Sequence, residues 1–442
     1  MKDPNDYEWD YWWSNAGQLA LLFTANTVIT LFIRRFVHLD YQHFVLLCGT
    51  LVLQGIALSI QGLCMVILFI GVMYLIISYQ TKPNATTVWI ISIITLWVIH
   101  HETLRPRLMI LFGVVGDDYS GLVQLVFMMA ILRIISFANI YNNNKAKNHY
   151  NQDGNNELKF QHLLMYTLYI PVCYNGPVIS FDTFYQDFYK TPKDFPIKEV
   201  LKDTVKTAFN VFALEIFYHF VYANTLCKYH DILREMSVIE AISMFWIHLH
   251  IFNIKYFIFY RFSGIFAKVD GIKPPGPPKC IASLYTFVDM WRYFDKGLNT
   301  FLIQNIYIPL GGSMKGFLRQ ASASFSCFAF VGYWHGADKS LMAWALTNWL
   351  GIVVESIGTR IVKMSLYKDT VRHISPLLHR RLCALGGAFS VFALIYTNMI
   401  FLVGLDPATI LLWRIFSIWY WPLLCLLVFY CGNNCSIDAS YT

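Results

Sequence analysis

Phe44-Val-Leu-Leu-Cys-Gly-Thr-Leu-Val-Leu-Gln-Gly-Ile-Ala-Leu58 and, after four residues, Leu63-Cys-Met-Val-Ile-Leu-Phe-Ile-Gly-Val-Met-Tyr-Leu-Ile-Ile-Ser-Tyr79 decide the class of fold. Neither run holds a charged side chain. A helix needs about 20 apolar residues to cross the hydrocarbon of a bilayer, and only a helix or a closed barrel satisfies its own backbone there. Similar runs cover residues 18–33, 88–99, 121–137, 208–226, 241–262, 285–308, 323–334, 341–356, 382–403 and 409–431. The expectation is therefore an all-α polytopic membrane protein of about twelve spans, several of them short enough to be re-entrant. Residues 163–180 are also apolar, but Pro171, Gly176 and Pro177 interrupt them. That stretch reads as broken or re-entrant, tolerable only where protein covers it.

Composition points the same way. Of 442 residues, 56% are hydrophobic and 14% charged. An ordinary soluble domain carries roughly 25% charged residues, and a chain this poor in charge cannot clothe a water-facing surface. The formal net charge of +7 is spread over many short loops. That suits loops facing an anionic cytoplasmic leaflet, and the segment 360–381 is expected on that side. No basic tract or zinc-finger spacing suggests nucleic acid. Most of the ten cysteines, Cys48, Cys64, Cys327 and Cys425 among them, lie inside apolar runs and read as small buried hydrophobes. Residues 1–15 are acidic and Trp-rich, without the basic start of a signal peptide. Sequons stand at Asn84-Ala-Thr86 and Asn434-Cys-Ser436.

Ionisable groups in membrane spans are functional candidates by default, since each costs about 2.5–3.5 kcal/mol on insertion scales. In Met290-Trp-Arg-Tyr-Phe-Asp-Lys-Gly-Leu298, Asp295 lies among aromatics. On one continuous helix Arg292, Asp295 and Asn299 would share a face. They read either as an Arg292–Asp295 ion pair or as a polar stripe lining a cavity. In Phe328-Ala-Phe-Val-Gly-Tyr-Trp-His-Gly336, His335 closes an apolar run. A neutral imidazole is a natural general base, although a histidine beside Tyr333 and Trp334 also suits a membrane interface. Glu215, His219, His248, His250 and Lys255 show no metal-ligand spacing and read as packing groups. Cys280 follows the stiff connector Lys273-Pro-Pro-Gly-Pro-Pro-Lys279. Gly311-Gly312-Ser313 reads as a turn with backbone N–H groups free for an anion.

Three motifs together, Trp291-Arg-Tyr-Phe-Asp-Lys-Gly-Leu298, Tyr307-Ile-Pro-Leu-Gly-Gly-Ser313 and Tyr333-Trp-His-Gly336, resemble the core of the membrane-bound O-acyltransferases. Further stretches resemble the branch that palmitoylates protein N-terminal cysteines. They are Tyr7-Glu-Trp-Asp-Tyr-Trp12, Tyr174-Asn-Gly-Pro-Val-Ile-Ser-Phe181, Pro277-Pro-Lys-Cys280 and Trp344-Ala-Leu-Thr-Asn-Trp-Leu-Gly351. The resemblance implies one domain over residues 1–442, with 10–12 membrane helices and re-entrant segments around a central tunnel and a catalytic core at about 160–360. It implies His335 and Asp295 as catalytic residues. Trp291, as a gate, would contact substrate, with Arg292, Asn299 and Trp334, and Cys280 would ligate the iron of haem b. The implied co-substrate is palmitoyl-CoA, and the implied acceptor a secreted signalling protein of the Hedgehog type. The implied place is the endoplasmic reticulum membrane or the Golgi. A lipid O-acyltransferase acting on a sterol, glycerol or lysophospholipid is the alternative within the family.

Overall fold

The computed structural model describes residues 3–80, 85–114, 116–148, 158–190, 196–372 and 375–439. Asn84 of the first sequon lies outside them, and Asn434 of the second lies in the last helix. The described residues are almost wholly helical and form no strand. In chain order the helices are α1 Tyr7–Phe36, α2 Leu39–Tyr79, α3 Thr86–His100, α4 Leu104–Leu111, α5 Asp117–Asn148, α6 Phe160–Leu168, α7 Ile170–Cys173 and α8 Phe181–Tyr185. There follow α9 Ile197–Phe220, α10 Ala223–Leu226, α11 His230–Glu235, α12 Val238–Val269, α13 Phe287–Tyr293 and α14 Lys296–Leu302. The last are α15 Phe317–Trp334, α16 Lys339–Lys363, α17 Ser365–Tyr367, α18 Pro376–Val403, α19 Leu405–Phe416 and α20 Tyr420–Ala439.

Among the described residues six helices are long and apolar enough to cross a membrane, or eight if each bent pair is one span. That is fewer than the ten to twelve expected, and the reason is local. The runs 44–58 and 63–79 are the two parts of α2, which is broken at Ser59 (φ 64°, ψ 160°). The Ser59 hydroxyl accepts from the Gly62 backbone N–H at 3.2 Å. Leu63 Cδ2 lies 3.6 Å from where a β-carbon on Gly55 would sit, so the chain folds back on itself at the break. Residues 285–308 divide into α13, α14 and a π-helical turn at Ile303–Tyr307. The run 88–99 belongs to α3, which bends by 96° into α4. Run 409–431 likewise spans a 98° bend between α19 and the helix after it.

The interrupted stretch at 163–180 is broken as its Pro and Gly content predicts, and residues 163–174 are all buried. Backbone left unpaired by such a break must find side-chain partners, because no water reaches it. Arg133, in the middle of α5 and 1% exposed, supplies most of them. Its guanidinium donates to Tyr166 O at 3.2 Å, to Thr167 O at 2.7 Å and to Val172 O. Gln54 of α2 donates to Leu168 O at 2.7 Å and accepts from the Tyr174 hydroxyl. The Tyr166 hydroxyl donates to Ile179 O at 2.5 Å, and Ser136 accepts from the Phe181 N–H at 3.1 Å. The broken segment is thus fixed against α2 and α5.

The N-terminal part of α1 packs on α9 and α12 through Trp9, Trp12, Tyr218 and Phe259. Lys255, buried on α12, pairs with Asp6 at 3.0 Å and Glu8 at 2.9 Å. At the far end of α12, Asp270 is fully buried. Its Oδ2 accepts from Tyr169 at 2.6 Å and Asn26 at 3.1 Å, while its Oδ1 has no hydrogen-bond partner.

Two expectations follow. Replacing Arg133 by Met strands three buried carbonyls, each worth about 1–3 kcal/mol when unpaired. Thermal unfolding of the detergent-purified protein should show a loss of about 3 kcal/mol or more, with Arg133→Lys intermediate because one ammonium cannot span the three acceptors. The second concerns pH. Burial pushes the Asp270 carboxyl from 3.8 up to about 6, against the lowering influence of Tyr169, Arg34 and Asn26. The folded state therefore holds this proton more tightly than the unfolded chain. Stability should fall by about 3 kcal/mol as pH rises from about 4 to about 6, then level off. Asp270→Asn should flatten that slope in melting curves taken across the window.

Candidate active site

The site is assembled from two places where a helix ends. The first lies between α13 and α14. The α13 N-terminus is capped twice. Thr286 accepts from Asp289 N at 3.0 Å, and Glu355 of α16 accepts from Phe287 N at 2.8 Å and Val288 N at 3.2 Å. Trp291 donates its indole N–H to Asn348 Oδ1 at 3.2 Å and meets Phe328 and Trp344 edge-on. The helix then stops, and Asp295 is the N-cap of α14 (φ −124°, ψ 89°). Its Oδ1 accepts from Leu298 N at 2.9 Å, and its Oδ2 from the Tyr260 hydroxyl of α12 at 2.5 Å. Two turns of chain meet tightly here. A β-carbon on Gly297 would lie 2.1 Å from Val178 O, so only glycine lets α14 seat on the broken segment.

This break corrects the expected continuous helix. Arg292 and Asp295 do not pair; Arg292 stands 3.7 Å from Asp289 Oδ1, and both are largely exposed. The reason is that Asp295 is turned inward as a cap, away from the lipid- or solvent-facing side of α13. The glycine turn after Tyr307 also differs from expectation. The N–H groups of Gly311 and Gly312 donate to Ile308 O and Tyr307 O, both at 2.9 Å, and are not free for an anion.

The second place is the turn between α15 and α16. His335 caps α15, and its backbone N–H bonds Val331 O at 3.0 Å. Gly336 (φ 127°) and Ala337 (φ 58°) then reverse the chain. The His335 ring packs edge-on against Trp334 and Phe401, with centroids 4.7 and 5.3 Å away. Among the described residues its ring nitrogens have no hydrogen-bond partner. Trp334 is held on both sides: its indole N–H donates to Met128 O at 3.1 Å, and its carbonyl contacts His100 Nε2 at 3.0 Å.

Both places open on one cavity of about 470 Å³. Asp295, His335, Trp291, Arg292, Asn299 and Trp334 all line it. Its walls are mainly aromatic and aliphatic, with a few convergent polar groups, including Tyr256 and Tyr260 of α12 and Asn398 of α18. Asn175, Gly176 and Val178 of the broken segment also contribute, which ties the cavity to the Arg133 clamp. Such a chamber suits a long apolar ligand with one reactive polar end.

Other candidates fall elsewhere. Glu215 accepts from the Trp9 indole at 2.7 Å, Lys255 pairs with Asp6 and Glu8, and His248 and His250 bond the carbonyls of Met244 and Trp246, each at 2.8 Å. They pack helices, as their spacing suggests. Cys280 is exposed, stands outside the cavity lining and precedes a single 3₁₀ turn at Ile281–Ser283. Among the described residues no three His, Cys, Asp or Glu side chains gather to hold a metal ion. An exposed thiol on a one-turn helix does not fit a buried porphyrin, and haem finds no support here. Arg133, Glu355 and Tyr260 escaped the sequence reading. The first two carried a signal, each a charge inside an apolar run. Tyr260 carried none, being one tyrosine among 27.

Comparison with known proteins identifies the family. The family model for the membrane-bound O-acyltransferase family matches residues 75–403. The mouse protein-cysteine N-palmitoyltransferase HHAT is 28% identical over 100% of this chain and 89% of its own length. The Drosophila melanogaster protein-cysteine N-palmitoyltransferase Rasp is 30% identical over 54% of this chain and 48% of its own. The membrane-bound O-acyltransferase gup1 of Schizosaccharomyces pombe is 26% identical over 88% and 68%. A match over most of the chain, around a cavity of this shape, places it: the chain belongs to the membrane-bound O-acyltransferase family and is a multi-pass membrane acyltransferase.

Proposed function

We propose that this acyltransferase moves palmitate from palmitoyl-CoA to the N-terminal cysteine of secreted signalling proteins of the Hedgehog type, ending in an amide. The observation that carries the reading is that Asp295 and His335, 40 positions apart in sequence, line one apolar cavity. Similarity along the whole chain to mouse HHAT, a protein-cysteine N-palmitoyltransferase by name, supports a protein cysteine as the acceptor.

The physical argument starts with the acyl chain. Its roughly fourteen methylenes, at about 0.8 kcal/mol each, make water an unfavourable medium by about 11 kcal/mol. A cavity within the bilayer avoids that transfer. The phosphorylated CoA head stays at a hydrated cytosolic mouth, where Arg292 and Lys296 are suited to meet phosphates. Helix α15 begins near Arg319, and Arg360 of α16 bonds Gln320 at 2.8 Å. These cations mark the cytosolic end, so the His335 turn lies toward the opposite face, from which a secreted acceptor arrives.

An α-ammonium has a pKa near 8, so a modest base suffices to free its lone pair. His335, with ring nitrogens uncommitted, takes that proton as the amine attacks the thioester carbonyl. The C–S bond then breaks, and the leaving thiolate is protonated. Asp295, fixed by Tyr260 and Leu298, presents a carboxylate to the ammonium before transfer. Attack by the acceptor thiol, followed by a shift to nitrogen, leads to the same product. On this reading the enzyme works in the endoplasmic reticulum membrane, where secreted acceptors pass.

Lipid O-acylation is the competing reading, favoured by the similarity to gup1. The purified protein with labelled palmitoyl-CoA should acylate a peptide bearing an N-terminal cysteine and leave sterol, glycerol and lysophospholipid unlabelled; the reverse pattern rejects the proposal. His335→Ala should lower the rate by about 10²–10⁴-fold, the span of a general base. Asp295→Asn should lower it comparably. Retained wild-type turnover in both, at equal protein abundance, removes the assignment.

A further inference from the structure

Asp295 is a carboxylate deep in an apolar cavity, and among the described residues no lysine or arginine pairs with it. Buried carboxylates usually persist through a cation or through several hydrogen bonds to the charged form. Here the second solution is built. One oxygen caps α14 through Leu298 N at 2.9 Å. The other accepts from the Tyr260 hydroxyl, and a hydroxyl donating to a carboxylate favours its ionised form. Tyr260 is 8% exposed and lines the same cavity. Its ring is edge-on to Tyr256, whose own hydroxyl is committed to Glu8 Oε1 at 2.9 Å. Glu8 in turn is bound to Lys255, one residue from Tyr256 on α12. The stretch of α12 that carries Tyr260 is thus tied to the N-terminal helix by ion pairs one hydrogen bond behind the cavity wall.

We infer that Tyr260 is a positioning residue for the acyl-transfer reaction: its hydroxyl holds the Asp295 carboxylate ionised and aimed into the cavity. The inference rests on the catalytic role proposed for Asp295. A carboxylate that lost this donor would keep only the backbone N–H donors at the start of α14, and its oxygen on the Tyr260 side would turn or take a proton. The reaction would then slow at the step that handles the acceptor amine, while the acyl chain still binds.

The test uses the full-length protein in detergent, palmitoyl-CoA and a peptide with an N-terminal cysteine, with amide product read by mass. Tyr260→Phe is expected to lower kcat by about 10–100-fold, the range seen when a partner that orients a functional group is removed. The KM for palmitoyl-CoA should stay within about twofold. The acid limb of the pH–rate profile should move to higher pH, because the charged form has lost a donor. Joined to Asp295→Asn, the change should add nothing, since the two groups act as a unit. A difluorinated tyrosine at 260 keeps shape and hydroxyl and donates more strongly; it should move the same limb to lower pH, even if the Phe variant does not fold. Wild-type kinetics in Tyr260→Phe beside an inactive Asp295→Asn overturn this inference alone, as do multiplied losses in the double variant or an unmoved limb with the fluorinated residue. Full activity in Asp295→Asn overturns the catalytic reading and this inference with it.

Discussion

The structure depends on one guanidinium. A chain that breaks its helix inside a membrane exposes carbonyls that nothing in lipid can satisfy. Residues 160–181 break theirs, and Arg133 binds three of the resulting carbonyls. Arginine suits this because its planar fork presents several donors at once and never loses its charge. No carboxylate is needed, since three carbonyl dipoles and one face of the Tyr166 ring, 5.9 Å from the guanidinium carbon, surround the cation. From that clamp the order of contacts runs to the site. The fixed segment presents Val178, Val178 seats Gly297, and Gly297 begins the helix that Asp295 caps.

The molecule handles buried charge in two ways, and the difference tracks position. At the N-terminal helix, Asp6, Glu8 and Lys255 neutralise one another directly. That arrangement is stiff and self-contained, leaving no valence for a ligand. At the cavity, among the described residues, Asp295 has donors but no cation, and the His335 ring has aromatic neighbours but no hydrogen bond. Both retain capacity for a reacting group. A cavity that must receive a reacting group needs this incompleteness, whereas a helix contact does not.

The apolar cavity wall does its work by exclusion. Trp291, Trp334, Trp344 and Phe401 each line it, and the first two have their indole N–H groups committed to Asn348 and Met128. The aromatic walls therefore stay apolar toward the chamber while remaining anchored outside it. An acyl group held there is shielded from water, the commonest competing nucleophile.

Sequence alone determined that the chain is helical and membrane-embedded, because uncharged runs of span length leave no other option. It also marked Asp295 and His335, since an ionisable group in an apolar run needs a reason to be there, and it flagged the break after Pro171. The tertiary structure decided how these parts combine. Periodicity cannot show that a helix stops at Phe294, because the stop comes from Asp295 turning to cap its successor and Tyr260 arriving from another helix. It cannot count the spans where Ser59 folds one helix back. Nor can it say that Arg292 pairs with Asp289 and leaves Asp295 to the Tyr260 hydroxyl and the α14 backbone, or that a carboxylate and an imidazole 40 residues apart face one chamber. Local propensity is written along the chain, whereas which buried charge meets which donor depends on helices packed from distant parts of it.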